Sequence, residues 1–209
     1  MIEAMAWDFG GVLAAFSHRR ACEQIAALSA GRFSADAISD WIFASGRHVR
    51  LEDGTLSADV FLAELVSRFE IAAPPQVVER AYSDIFVPML AVCDLSARLP
   101  PDFPQYLASN TDPCHWSVIS ALMAEVFGAF RQFVLSFEVG ARKPSAKFFT
   151  ALLDRAGCAA EALLFVDDLA DNVAGARAVG IDAIVFESAA ALQRELSVRG
   201  IVPGRQGSG

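Results

Sequence analysis

From residue 104 onward, short apolar runs alternate with amphipathic stretches. QYLASN (105–110), QFVLSF (132–137), ALLFVDD (162–168) and DAIVFE (182–187) are dominated by apolar residues, as strands buried on both faces are. Each is followed by a run with helical spacing: PCHWSVISALMAEVF, PSAKFFTALLDRAG closed by Gly157, LADNVAGARAVG closed by Gly180, and AAALQREL. Repeated strand–helix units predict a doubly wound parallel sheet with right-handed crossovers. MAWDF (5–9) predicts a first strand, set apart from the others.

The stretch between has another texture. In SHRRACEQIAALSAG (17–31), Cys22, Ile25, Ala26 and Leu28 fall near one helical face, with Ser17 as N-cap and Gly31 as stop. SADVFLAELVSRFE (57–70) repeats the pattern with Val60, Phe61, Leu65 and Phe69. PPQVVERAYSDIF (74–86) predicts a helix opened by prolines. No strand is predicted in this segment. The expected organisation is a Rossmann-like core from 1–15 and 91–203, a helical insert over 16–90, and a disordered tail at 204–209.

Composition narrows the class. Of 209 residues, 54% are hydrophobic, enough for a sizeable core. The net charge of -8 argues against a nucleic-acid surface, which needs clustered Lys and Arg. It leaves room for a small anionic ligand, because local charge outweighs net charge within about 8–10 Å. Cys22, Cys93, Cys114 and Cys158 form no CxxC or Cys/His cluster, which fits free thiols in a reducing cytoplasm. Neither a signal peptide nor a bilayer-spanning run is expected.

In open α/β sheets, ligands bind beyond the carboxyl ends of the strands. There the sequence places Asp8, Ser109 with Asn110 and Thr111, and Asp167 with Asp168, while Lys143 lies in the loop after the third strand. A carboxylate, a hydroxyl, a cation and an acid pair together can manage a phosphate and a divalent metal.

These motifs resemble those of the haloacid dehalogenase superfamily, hydrolases that are mostly phosphatases. WDFGGVL resembles the first motif, LASNTD the second, ARKP the third and LLFVDDLADNVAGA the fourth, in that order along nearly the whole chain. The combination DxGxV, SNT, RKP and DDxxxN, with LEDGTLSADVF in the insert, is similar to a branch that includes bacterial sugar-phosphate phosphatases. The resemblance implies an α/β Rossmann-like core with an inserted helical cap. It implies Asp8 as nucleophile, forming an aspartyl-phosphate that water hydrolyses. Ser109 and the amide of Asn110 would hold the transferring phosphoryl oxygens, and Lys143 would neutralise them. Pro144 disfavours helical geometry at Lys143 and suits a first helical position, which puts that lysine at a helix N-terminus. Asp8, the carbonyl of Gly10, Asp167 and Asp168 would hold Mg²⁺, with Asp168 ahead of Asp167. Asn172 is placed to orient an acid or Lys143. The expected partner is a small phosphorylated metabolite, with no nucleic acid and no membrane.

Gly10 departs from the family pattern, which carries a second Asp there as general acid and base. The departure leaves a substrate with a good leaving group, an acid supplied by the cap or the substrate, or a poor or absent catalyst. Two alternatives therefore stand beside the phosphatase: a 2-haloacid dehalogenase, and a non-catalytic binding or regulatory protein. His18, His48 and His115 show no clustering in sequence and are expected at the surface or in the cap. Arg142, Arg47 and Arg50 are expected on solvated faces.

Overall fold

The computed structural model describes residues 1–204, so nearly all of the expected tail lies outside the described residues. Its strands are β1 (Ala4–Trp7), β2 (Ala14–Phe16), β3 (Phe86–Pro88), β4 (Gln105–Ser109), β5 (Phe130–Leu135), β6 (Leu163–Asp167) and β7 (Asp182–Val185). Five of them form one parallel sheet in the order β5-β4-β1-β6-β7. The chain runs outward from β1 through β4 to β5, then crosses to the other side for β6 and β7. β1 therefore stands where the direction of winding reverses, the position at which such sheets open a crevice.

Alternation along the strands builds two apolar layers. Met5, Trp7, Leu107, Leu164 and Val166 face one layer. Ala4, Ala6, Tyr106, Ala108, Leu163 and Phe165 face the other. Trp7 is fully buried, and its indole N–H donates to Gln105 Oε1 at 3.0 Å, so burial leaves no polar atom unpaired there.

Helices cover the sheet: α6 (Leu90–Ala97), α7 (Pro113–Leu122), α8 (Ala124–Phe127), α9 (Ser136–Val139), α10 (Ala146–Ala156), α11 (Ala170–Ala178) and α12 (Ala189–Val198). α7 and α8 occupy the stretch expected as one helix, interrupted at Met123. The helical insert holds α1 (His18–Leu28), α2 (Ala35–Ser39), α3 (Arg47–Glu52), α4 (Ala58–Arg68) and α5 (Pro75–Ser83), with a π-helical turn over Asp40–Ala44. Ser17 caps α1 as expected, accepting from the Arg20 N–H at 3.3 Å. The insert has its own core around Ile25, Phe61, Leu65, Phe69 and Tyr82, joined by Cys114 of α7. Val60, expected on that apolar face, is instead exposed.

The expectation of no strand in the insert segment is corrected at its edges. β2 and β3 pair antiparallel, Ala14 opposite Pro88 and Phe16 opposite Phe86. Both are three residues long, too short for alternation to register in sequence. The chain enters and leaves the insert side by side on this ribbon, where the Ser17 N–H donates to Ile85 O at 3.2 Å. The four cysteines are free, with Cys22, Cys93 and Cys114 buried. Among the described residues, no helix is long and apolar enough to cross a membrane.

Candidate functional site

The three central strands end beside one another and set the floor of a cavity of about 300 Å³. Trp7 is level with Leu107 on one side and Val166 on the other. The next residue, Asp8, therefore emerges between the ends of β4 and β6, its N–H donating to Val166 O at 2.9 Å. Lys143 Nζ reaches in to stand 2.7 Å from Asp8 Oδ1 and 2.7 Å from Asp167 Oδ2. The Phe9 N–H donates to the same Asp8 Oδ1 at 2.7 Å, so these contacts leave Oδ2 aside. Burial pushes the Asp8 carboxyl up to about 7, against the pull of the Lys143 ammonium and with a further push from Asp167. Burial alone would lower the Lys143 ammonium, but Asp8 and Asp167 outweigh it and hold it above its usual value.

Asp167 is fully buried, with hydrogen bonds at both oxygens. Asn172 Nδ2 donates to both its oxygens at 2.9 and 3.0 Å, and the Leu169 N–H donates to Oδ1 at 2.9 Å. Asn172 thus orients an acid, one of its two expected tasks. Asn110 has a task the sequence did not suggest: its side-chain amide clamps the backbone of Lys143. Asn110 Nδ2 donates to Lys143 O at 3.1 Å, and Lys143 N–H donates to Asn110 Oδ1 at 2.8 Å. That clamp corrects the expected placement of Lys143 at a helix N-terminus. α10 starts at Ala146 with Ser145 as its cap, so Pro144 lies ahead of the helix. Ser109 closes β4 and lines the cavity at 3% exposure.

Asp8, Asp167 and Asp168 each offer an oxygen within 4.8 Å of the others. Three carboxylates face one ammonium here, an excess of negative charge that a divalent cation would offset. Burial, with Asp167 beside it, raises the Asp168 carboxyl. Gly11 makes the close approach possible. Its φ of +78° suits glycine, and a Cβ there would stand 2.2 Å from Asp168 Oδ2. Gly10 lines the cavity beside these acids.

His18 and His48 lie in the insert as expected, but His115 is buried in α7 of the core, and the three rings do cluster. His18, His48 and His115 all line the cavity, with ring centroids 5.0 Å apart for His18 and His48 and 6.1 Å for His48 and His115. His48 and His115 belong to a polar chain that crosses from insert to core. Arg142 Nε lies 2.7 Å from Glu52 Oε2, and Glu52 Oε1 lies 3.3 Å from His48 Nε2. His48 Nδ1 is 3.2 Å from the Tyr82 hydroxyl, which donates to Asp112 Oδ2 at 3.0 Å. Asp112 Oδ2 in turn lies 2.6 Å from His115 Nδ1. Arg142, expected on a solvated face, is half-buried in this chain. Arg47, also expected on a solvated face, is likewise half-buried, lying 4.2 Å from the Trp41 ring centroid and pairing with Glu64, whereas Arg50 is exposed as expected.

Asp112, Tyr82 and Glu52 escaped the sequence reading. For Asp112 a local signal existed: Asp, Pro and then His three residues on is an N-cap pattern that puts the carboxylate beside the imidazole. Tyr82 and Glu52 carry no such signal, because only packing of the insert brings Glu52 to the cavity and Tyr82 into the polar chain behind it. Burial alone would raise the Asp112 carboxyl, but His115 outweighs it and leaves it at about 2. Burial, reinforced by the neighbouring His48 and His115, lowers His18 to about 4.

Comparison with known proteins agrees with this architecture. Residues 2–180 match the model of a family described as haloacid dehalogenase-like hydrolase. The chain is 26% identical over 204 residues to a D-ribitol-5-phosphate phosphatase of Bacteroides thetaiotaomicron, covering 95% of this chain and 98% of the relative. A haloacid dehalogenase-family enzyme of the same organism, solved with magnesium and inorganic phosphate, superposes with a TM-score of 0.78. It is 22% identical, with 90% of this chain and 95% of that one covered. A predicted family member from Porphyromonas gingivalis superposes with a TM-score of 0.79 at 24% identity, covering 94% and 98% of the two chains.

Proposed function

The chain belongs to the haloacid dehalogenase-like hydrolases, and from that membership we propose that it hydrolyses a small phosphate monoester through an aspartyl-phosphate on Asp8. The observation that carries the reading is the contact of Lys143 with Asp8 and Asp167 beside a third carboxylate, Asp168. Asp8 Oδ2 is the attacking atom, since Lys143 and the Phe9 N–H hold Oδ1. Lys143 balances the phosphoryl charge, and Ser109 with the Asn110 amide hydrogen-bonds the phosphoryl oxygens. Asn110 also fixes where Lys143 stands, and Asn172 keeps Asp167 turned toward the lysine.

Asp8, Asp168, Asp167 and the Gly10 carbonyl are the groups that would hold Mg²⁺. The bound ion would shield the nucleophile from a phosphate dianion. A solved structure of the same fold contains magnesium and inorganic phosphate, the two ions this reading calls for. The substrate is a sugar or sugar-alcohol phosphate. The D-ribitol-5-phosphate phosphatase relative supports that class, and so does a cavity whose lining includes Glu52 and three histidines.

The test is hydrolysis of a phosphate-ester panel with and without Mg²⁺, by the wild type and by Asp8→Asn. Activity that needs both Mg²⁺ and Asp8, with phosphate trapped on Asp8, is the expected result. Metal-independent halide release from a 2-haloacid would show the dehalogenase instead. A folded protein that binds Mg²⁺ but cleaves no ester would return the reading to a binding protein, which the bare Gly10 favours.

A further inference from the structure

Position 10 offers no side chain to protonate a leaving group, and one placed there would have to displace the Phe16 ring. A Cβ built on Gly10 would stand 2.9 Å from Cε1 of Phe16. A poor leaving group still needs a proton as its bond to phosphorus breaks. The groups around the cavity can be taken in turn. Lys143 is committed to Asp8 and Asp167. Burial alone would raise Glu52, but His48 and Arg142 outweigh it and keep it ionised. His18, lowered by its burial and its histidine neighbours to about 4, is neutral at pH 7. His48 is engaged at both ring nitrogens, by Tyr82 and by Glu52.

His115 differs from all of these. Its side chain is 4% exposed, and its Nδ1 stands against Asp112. Its Nε2 is buried with no hydrogen-bond partner, while the ring lines the cavity. The ring cannot turn freely. It stacks on Tyr82 at 4.4 Å between centroids and meets the edge of Phe86 at 5.4 Å. Asp112 is also fixed, because Oδ1 caps α7 by accepting the His115 N–H at 3.0 Å and so leaves Oδ2 for the imidazole. A carboxylate on Nδ1 keeps the proton there, so Nε2 accepts in the neutral ring and donates in the imidazolium that the same carboxylate stabilises.

We infer that the Nε2–H of His115 is the proton donor to the leaving oxygen, with Asp112 and Tyr82 as its positioning residues. The inference rests on the phosphatase reading above. As Asp8 Oδ2 bonds to phosphorus, the bond to the leaving oxygen breaks and its electron pair takes the Nε2 proton, releasing an alcohol and a neutral imidazole. In the second half, that imidazole takes a proton from the attacking water. Oxygen of the water bonds to phosphorus, the bond to Asp8 breaks, and the carboxylate, phosphate and imidazolium are restored. The charged and titratable groups facing His115 are Asp112 on its own helix, Tyr82 from α5, His48 and Glu52 from α3, and His18 from α1. Burial alone would lower the His115 imidazole, but Asp112, helped by Glu52, outweighs it and raises it, which favours the charged form that donates.

The experiment compares two small aryl esters, phenyl phosphate and 4-nitrophenyl phosphate, in the presence of Mg²⁺. The readout is the burst of phenol release, which reports the step that forms the aspartyl-phosphate. In the wild type, the phenyl phosphate burst is expected to fall on the alkaline side, and the 4-nitrophenyl phosphate burst to stay flat over the same range. His115→Gln is expected to lose about 10²–10⁴-fold on phenyl phosphate and less than about tenfold on 4-nitrophenyl phosphate. Asp112→Asn is expected to move the alkaline fall to lower pH. Nitrogen-15 spectra of the free protein supply a readout without turnover: His115 as an imidazolium at pH 7, shifted toward neutral by Asp112→Asn. An equal loss on both esters, a wild-type profile that ignores the leaving group, or a neutral His115 at pH 7 overturns the inference and leaves the phosphatase standing. A wild type that cleaves neither these esters nor any sugar phosphate of the panel overturns the phosphatase reading, and the inference with it.

Discussion

The floor of the cavity and its roof are built from different kinds of neighbour. Floor residues sit at the ends of strands whose register is set by alternation a few residues away. Their contacts are short and matched, with Lys143 at 2.7 Å from each of two carboxylates. The roof takes Glu52 and His48 from α3, His115 from the start of α7 and Arg142 from a loop, backed by Tyr82 of α5 and by Asp112, the N-cap of α7. No two of those elements are sheet neighbours, so their meeting depends on how the insert packs on α7. A floor made this way holds one chemistry in place, whereas a roof made this way can be recomposed by shifts in helix packing.

The contrast can be broken most severely at Asp8. Asp8→Asn is expected to lower turnover by at least about 10³-fold while leaving the fold intact, checked by steady-state kinetics beside a denaturation curve. Lys143→Met comes next, because it leaves Asp8 and Asp167 facing each other without their shared cation. A loss of about 3–5 kcal/mol in stability is expected, measured by urea unfolding. A variant as stable as the wild type would mean that the floor is not an electrostatic unit.

The roof should answer more weakly and with a pH signature. The Asp112 carboxyl lies at about 2 in the fold against an ordinary 3.8, so its contribution is present above about pH 4 and lost as pH falls toward 2. His115 has the opposite sense: raised in the fold, it contributes below its ordinary 6.5 and loses that contribution as pH rises through its folded value. The pair therefore stabilises most between about pH 4 and 6.5, by something on the order of 2 kcal/mol. His18 works against it in the same window, since a lowered imidazole costs stability as the pH drops below 6.5. The comparison must for that reason be the difference between wild type and Asp112→Asn across pH, which is expected to be largest in that window. A difference that stays flat from pH 3 to 8 would deny the pair its charge. Tyr82→Phe should be smallest, about 1 kcal/mol, because one hydroxyl between His48 and Asp112 is lost and the ring stays.

Legibility in the sequence follows the same division. Asp8, Ser109, Asp167 and Asp168 could be placed because a strand end is marked locally, by an apolar run that stops at a polar residue. Lys143 could be placed in its loop, but not its clamp, since Asn110 lies 33 positions away and pairs with it only after β4 and β5 align. The histidines looked scattered because position in the chain was the only measure of distance. His18 and His48 are brought together by Phe43, whose ring stacks on one at 4.4 Å and meets the edge of the other at 5.0 Å. Nothing in the spacing of those three residues announces a shared pocket. The ribbon of β2 and β3 was missed because three-residue strands carry too few positions to show a period.

That ribbon has a consequence for the history and engineering of the molecule. Where a chain leaves a domain and returns at adjacent points, what lies between is a cassette. Its length weighs little on the host, since doubling a loop costs only about 0.6 kcal/mol in closure entropy. Where the chain leaves for the insert and returns, its two ends are tied by the Ser17–Ile85 backbone hydrogen bond and a three-pair ladder, while the five-stranded sheet closes without the insert. Grafting another insert between Phe16 and Phe86 is expected to leave the Asp8, Lys143 and Asp167 triad in register, as a crystal structure of the graft would test. Substrate preference can then drift by exchange of one contiguous segment, with the machinery below it inherited unchanged.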